Sequence, residues 1–161
     1  MKITRIEAFQ VAWSPDEKPQ QHSAFVLIHT DTGLTGIGEA SPMQGGRASL
    51  AIIRDDIAPL LIGRDPLDHA VLLDQALHTL VKLGPEGALT GALAALDIAL
   101  WDLKGKLTGL PIYKLIGGAW FSAEAIIQEL GYRATHSFAE TVPELIALYR
   151  NAASVGSATN S

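Results

Sequence analysis

Apolar and polar residues alternate from residue 2 to residue 13, which predicts a β-strand. Ile3, Arg5, Glu7, Phe9, Val11 and Trp13 fall on one face, and the more mixed set Lys2, Thr4, Ile6, Ala8, Gln10 and Ala12 on the other. The next stretch, SPDEKPQQ, is polar and carries two prolines, so it reads as a loop. Residues 24–30, AFVLIHT, are β-formers. Asp31, Thr32 and Gly33 supply turn chemistry, and residues 34–39 make the second arm of a hairpin. Gly36 and Gly38 in that arm have no side chains to pack, which points to a close backbone approach or a bulge. With the first strand, the hairpin completes a three-stranded antiparallel meander, about the minimum for a stable sheet.

The period becomes helical after a second loop, ASPMQGG, at residues 40–46. Leu50, Ile53, Ile57, Leu60 and Leu61 share a helical face, with Pro59 expected to end or kink the element. Asp65-Pro66 is a helix-start signal, the aspartate as N-cap and the proline in the first turn. An inward stripe of Leu67, Ala70, Val71, Asp74, Leu77, Leu80 and Val81 follows, broken only by Asp74, and Gly84-Pro85 closes it. The longest helical segment covers residues 87–107. It is apolar nearly all round from Ala88 to Leu100, which predicts a central, buried helix. Gly109 and Pro111 stop it, and a helical turn over residues 112–116 ends at Gly117-Gly118. Strands followed by helices give an α+β fold, a three-stranded antiparallel meander followed by a helical bundle on one sheet face. Beyond it, Ser122 is a candidate N-cap for a helix bearing Ala125, Ile126 and Leu130. A second helix is expected from near Thr141 through Leu145, Ile146, Leu148 and Tyr149, ahead of a disordered SVGSATNS tail.

Composition narrows the function. The 161 residues are 48% hydrophobic and 18% charged, a globular balance with a net charge of −5. No two Lys or Arg residues are adjacent, so no basic patch offers itself to nucleic acid. There is no cysteine, which excludes disulfides and thiolate metal sites. The opening MKITRIEAF lacks the apolar core of a signal peptide, and no apolar run reaches the roughly 18 residues of a membrane span. The expectation is a soluble cytoplasmic protein with no membrane or nucleic-acid partner.

Few residues carry chemistry by their spacing. Asp97 and Asp102 lie five apart on the long helix, about 140° apart in projection, and so are not a carboxylate pair. Asp97 is expected to satisfy buried backbone or side-chain donors at a helix–barrel contact and Asp102 to pair with Lys106 one turn on. His29 reads as structural. His136 and Glu140, four apart, read as a solvated pair without a third metal ligand. Neither Gly36-x-Gly38 nor Gly117-Gly118 has the strand–GxGxxG–helix context of a phosphate loop.

One segment is more specific. Residues 92–117, ALAALDIALWDLKGKLTGLPIYKLIG, resemble the first sequence pattern of the mandelate racemases and muconate lactonizing enzymes of the enolase superfamily. The match runs through Ala94, Ala95, Leu96, Asp97, Ala99, Leu100, Asp102, Leu103, Gly105 and Lys106. It continues at Pro111, Ile112, Leu115, Ile116 and Gly117 without a gap. MKITRIEAF, VLIHTDTGLTGIGEA and APLLIGRDP resemble the family's opening strand, hairpin and first helix, so the likeness spans residues 1–118.

The resemblance implies the N-terminal capping domain of a Mg²⁺-dependent enzyme that abstracts the proton α to a carboxylate. Racemases, sugar-acid dehydratases and cycloisomerases share this step, in which the cation stabilises the enediolate. In such enzymes a TIM barrel carries the acidic metal ligands and the base. A barrel needs roughly 200–250 residues, more than follow Gly118, and no lysine follows Lys114. No catalytic residue and no Mg²⁺ ligand is therefore carried over onto this chain, and residues 119–161 read as a non-family helical extension.

What does carry over is the family's pair of loops that close over the barrel mouth and set substrate choice. Trp13, His22, Met43, Gln44 and Arg47 are accordingly the substrate-loop candidates, Arg47 as a partner for a substrate carboxylate or hydroxyls. The expected partner is a carboxylate or acid-sugar substrate, if a barrel is supplied, with a second copy of the chain as the other candidate. The alternative is a non-catalytic binding or oligomerisation module derived from the capping domain.

Overall fold

Strand β1 (Ile3–Trp13) pairs antiparallel with β2 (Gln21–Thr30), which pairs antiparallel with β3 (Thr35–Ala40), giving the order β1-β2-β3. The computed structural model describes residues 1–13, 21–40, 46–84 and 86–118, and Met1–Gly117 forms one compact unit. The predicted helices after Phe121, and the His136–Glu140 pair within them, lie outside the described residues.

The meander is the one the alternation predicts, with one correction to its faces. The register slips between Ile3, opposite Thr30, and Arg5, opposite His29. This irregularity moves Ile3 to the side of Ile6 and Ala8, where it is 1% exposed in the main core. Arg5, Glu7, Phe9 and Val11 keep the other face. There Phe9 and Phe25 pair across the strands at 6.1 Å between ring centroids, and Val11 and Leu27 are also buried.

The helices cover the face of Ala8, Ala24, Val26, Ile28 and Ala40. Helix α1 (Arg47–Ala51) runs into a π-helical stretch (Ile52–Ile57) and then α2 (Ala58–Leu61). Pro59 therefore neither ends nor breaks the run at its own position. Its ring would clash with a carbonyl one turn back, and the wider π turn immediately before it gives that ring room. Ile53, Ile57 and Leu61 point into the core as expected.

Helix α3 (His69–Leu80) begins later than Asp65-Pro66 predicts. The Asp65 side chain accepts from the Leu67 N–H at 2.9 Å, and its carbonyl accepts from the Asp68 N–H, so a separate turn closes first. The inward stripe is rotated accordingly. His69, Leu72 and Ala76 are buried with Leu73, Leu77 and Leu80 packed behind them, whereas Leu67 and Val71 are exposed. Asp74, the interruption in the predicted stripe, lies on the outside.

A 3₁₀ turn (Val81–Leu83) leads to α4 (Ala88–Thr108), stopped at Gly109 in the left-handed conformation. Helix α4 is central but not buried all round. Leu89, Ala92, Ala95, Leu96, Ala99, Leu100 and Leu103 form its core face, while Thr90, Ala94 and Ile98 are open. Helix α5 (Ile112–Leu115) ends the unit.

Candidate functional site

Two of the substrate-loop candidates, Trp13 and His22, lie at one end of the sheet. By register, Trp13 at the end of β1 faces Gln21, Ala12 faces His22, and Ala24 faces Ala40 at the end of β3. The chain then re-enters the described residues at Gly46, whose φ of 66° turns it into α1. The turn at Asp31–Gly33 lies at the far end of the same strands. Trp13 and His22 are thus one register step apart, and the strand ends that lead into both loops lie at this end. Arg47 is the exposed first residue of α1. Met43 and Gln44 lie outside the described residues, so the structure does not place them.

His22 carries the one polar signal at this end. It shares the helix-side face with Ala24 and Val26 and is half-buried. Its Nδ1 is buried and has no hydrogen-bond partner among the described residues. A buried polar atom without a partner is uncommon, because it forfeits its hydration for nothing.

Several charged residues away from this end are already engaged. Asp102 Oδ2 accepts from the Ile37 N–H at 2.9 Å and from Lys106 Nζ at 2.6 Å, and Lys106 also donates to the Thr35 carbonyl at 2.7 Å. The expected Asp102–Lys106 pair is there, and it also satisfies a backbone donor on the edge strand β3. Removing that acceptor should matter: Asp102→Ala is expected to cost about 2 kcal/mol. Urea unfolding would show this as a lower midpoint at unchanged slope. His29 is structural, with Nε2 2.8 Å from Glu7 and Nδ1 3.0 Å from the Thr35 hydroxyl, while Arg5 pairs with Glu7 at 2.6 Å.

Asp97 satisfies a side-chain donor, but at a contact between two helices of this unit and not at the expected helix–barrel contact, and the donor is one the sequence pattern does not single out. His69 of α3 lies under α4 with its Nε2 2.5 Å from Asp97 Oδ1 and its Nδ1 3.2 Å from Lys104 Nζ. Trp101 meets its ring edge-on at 5.0 Å, and the Lys104 ammonium sits 4.7 Å above the Trp101 ring. Burial holds this imidazole below its ordinary value of 6.5. The Asp97 hydrogen bond opposes the shift and the charge of Lys104 adds to it. The sequence signal that finds His69 is the polar Asp74, which shows that the α3 stripe must be rephased.

Among the described residues, no group of three or more His, Asp or Glu could hold a metal ion. No helix of the described chain is long and apolar enough to cross a membrane.

Known proteins share this architecture. The family model described as mandelate racemase/muconate lactonizing enzyme, N-terminal domain, matches residues 4–117. A D-galactonate dehydratase family member of Streptomyces sp. (strain SPB074) is 35% identical over 125 residues, covering 73% of this chain and 26% of its own length. Another, of Catenulispora acidiphila, is 33% identical over 157 residues, covering 94% of this chain and 34% of its own length. The crystal structure of a mandelate racemase/muconate lactonizing protein from Paracoccus denitrificans PD1222, complexed with magnesium, superposes with a TM-score of 0.68 at 52% identity. It covers 81% of this chain and 38% of that one. The chain therefore spans about a quarter to a third of the curated relatives it matches.

Proposed function

This chain belongs to the mandelate racemase/muconate lactonizing enzyme family, as its N-terminal domain, and on that premise we propose that it is the substrate-capping portion of a Mg²⁺-dependent enzyme that removes the proton α to a carboxylate. The substrate class is an acid sugar or related hydroxy acid, which the dehydratase relatives support. By itself the chain is inactive. The observation that carries the capping role is that the strand ends flanking both loops lie at one end of the sheet, where the His22 Nδ1 is buried without a partner among the described residues. A hydroxyl or carboxylate oxygen of a substrate is the kind of group that nitrogen lacks, and the Arg47 guanidinium suits an anion beside it.

The described residues do not fit the metal. Asp97 is committed to His69, Asp102 to Ile37 and Lys106, and Glu7 to Arg5 and His29. No step through the ion is assigned to them.

Two measurements test the proposal. The purified chain with D-galactonate and Mg²⁺ is expected to show no turnover above the buffer control; reproducible turnover overturns the inactivity. Joining residues 1–117 to the remainder of the Paracoccus denitrificans protein should restore a complete enzyme. In that hybrid, Arg47→Ala is expected to raise KM about ten- to a hundredfold with kcat little changed, the worth of one charge-assisted hydrogen bond. An unchanged KM removes Arg47 from the substrate.

The second reading, a binding or oligomerisation module, is favoured by the exposed apolar residues Leu110, Ile112, Tyr113 and Ile116 around α5. Light scattering separates the two. A defined oligomer with no activity in the hybrid favours the module.

A further inference from the structure

We propose that His69 is a proton-operated latch, which ties α3 to α4 when neutral and loosens the start of α3 when protonated. The geometry works in one protonation state only. Lys104 can only donate, so His69 Nδ1 must be a bare acceptor at 3.2 Å, and the ring proton must sit on Nε2, facing Asp97. Adding a second proton turns Nδ1 into a donor pointed at an ammonium. The Lys104 hydrogen bond is lost and two positive charges face each other. Lys104 must then leave its seat over Trp101, or the imidazole must swing out of a position where the residue is 5% exposed.

The charged groups around the ring are few. Helix α4 is the element packed on α3, and it presents Asp97 and Lys104. On the approach to α3, Asp65 is engaged with the Leu67 N–H and the terminal ammonium, and Arg64 donates to Gln75. Asp97 lies at the outer edge with its side chain 44% exposed, so solvent screens the one attraction that protonation would strengthen. A leucine at position 69 would fill the same space without any of these constraints. An imidazole satisfied at both nitrogens gives packing that depends on acidity.

The direction follows from linkage. Opened to water, His69 takes up its proton near the ordinary value of 6.5; docked, it does so at lower pH. Between the two, the opened form binds more protons, so docking is strongest above about pH 6.5. It weakens as pH falls to the docked value and is constant below that.

The test uses the full 161-residue chain and reads two signals across pH 4.5–8: the His69 ring nitrogens by NMR, and amide-exchange protection of α3 normalised to β2. The expected result is a His69 midpoint below 6.5, with α3 protection falling by up to about tenfold per pH unit over the same interval. Lys104→Gln should move the ring midpoint upward and shrink the total loss of protection, and Asp97→Asn should move the midpoint downward and enlarge the loss, because the opened form's value near 6.5 still sets the onset. A His69 that titrates at or above 6.5 overturns the latch. So does α3 protection that ignores the ring, or a midpoint that Lys104→Gln leaves in place.

Discussion

Gly38→Ala is expected to cost about 3 kcal/mol, the upper end for overpacking a close-packed contact. The two strand glycines of β3 are the surface on which α4 rests. A Cβ on Gly38 would fall well inside van der Waals contact of the Ala95 carbonyl oxygen, and also 3.0 Å from the Ala99 nitrogen. A Cβ on Gly36 would meet the Ala99 carbonyl and come within 2.7 Å of Leu103 Cγ. The obstructing atoms are mostly helix backbone, which cannot turn aside as a long side chain can. Relief requires α4 to lift from the sheet, which opens the layer containing Ala95, Leu96, Ala99 and Leu100. It also stretches the Asp102 contact to Ile37. Gly33→Ala is the control. That glycine has φ 83°, and a Cβ added to it would meet nothing within 4 Å, so only backbone strain of about 1 kcal/mol is expected. Equal losses at the two positions, measured by urea unfolding, would refute close helix–sheet contact as the cause.

Leu100→Ala is expected to cost about 3–4 kcal/mol, from lost transfer free energy plus the cavity left behind. Leu100 is 0% exposed on the core face of α4, between the sheet and the other helices. Against the roughly 5–15 kcal/mol of a typical domain this is a large share, and it should lower the melting temperature by several degrees. Ile98 sits on the same helix but is 45% exposed, so Ile98→Ala should cost under about 1 kcal/mol. The pair tests the phase of α4. Comparable losses at 98 and 100 would mean that the helix is enclosed on every side, as its composition suggests and the structure denies.

That contrast shows how much could be read from the chain. Element type and order were legible, because alternation in β1 and β2 and the helical period after Arg47 are local properties. The glycine pair in β3 pointed to a close backbone approach or a bulge before any partner was known, and the packing of α4 on Gly36 and Gly38 decides for the close approach. Asp102 was legible as a partner of Lys106, because one helical turn fixes that spacing. Its second role, holding the Ile37 N–H, was not, because residues 65 apart in sequence meet only in the fold.

The phase of each element was less legible than its type. The slip between Ile3 and Arg5 changes which β1 residues face the helices, and nothing in a binary pattern marks it. In α3, Leu67 and Val71 are apolar but exposed, while His69 is polar but buried, so hydrophobicity alone phases the helix wrongly. The candidate site divides in the same way. That Trp13 and His22 flank a common sheet end follows from the meander. That His22 buries a nitrogen with no partner among the described residues is visible only once the neighbouring elements are packed.

By itself, then, the sequence determined the α+β meander-plus-helices plan and the likeness to the capping domains, because local periodicity and a continuous motif are written along the chain. The tertiary structure alone decided that His69 lies between Asp97 and Lys104, and that α4 rests on Gly36 and Gly38 with its Ile98 side open. Burial and partnership of a side chain are set by which surfaces meet, and those surfaces are brought together by contacts far apart in sequence.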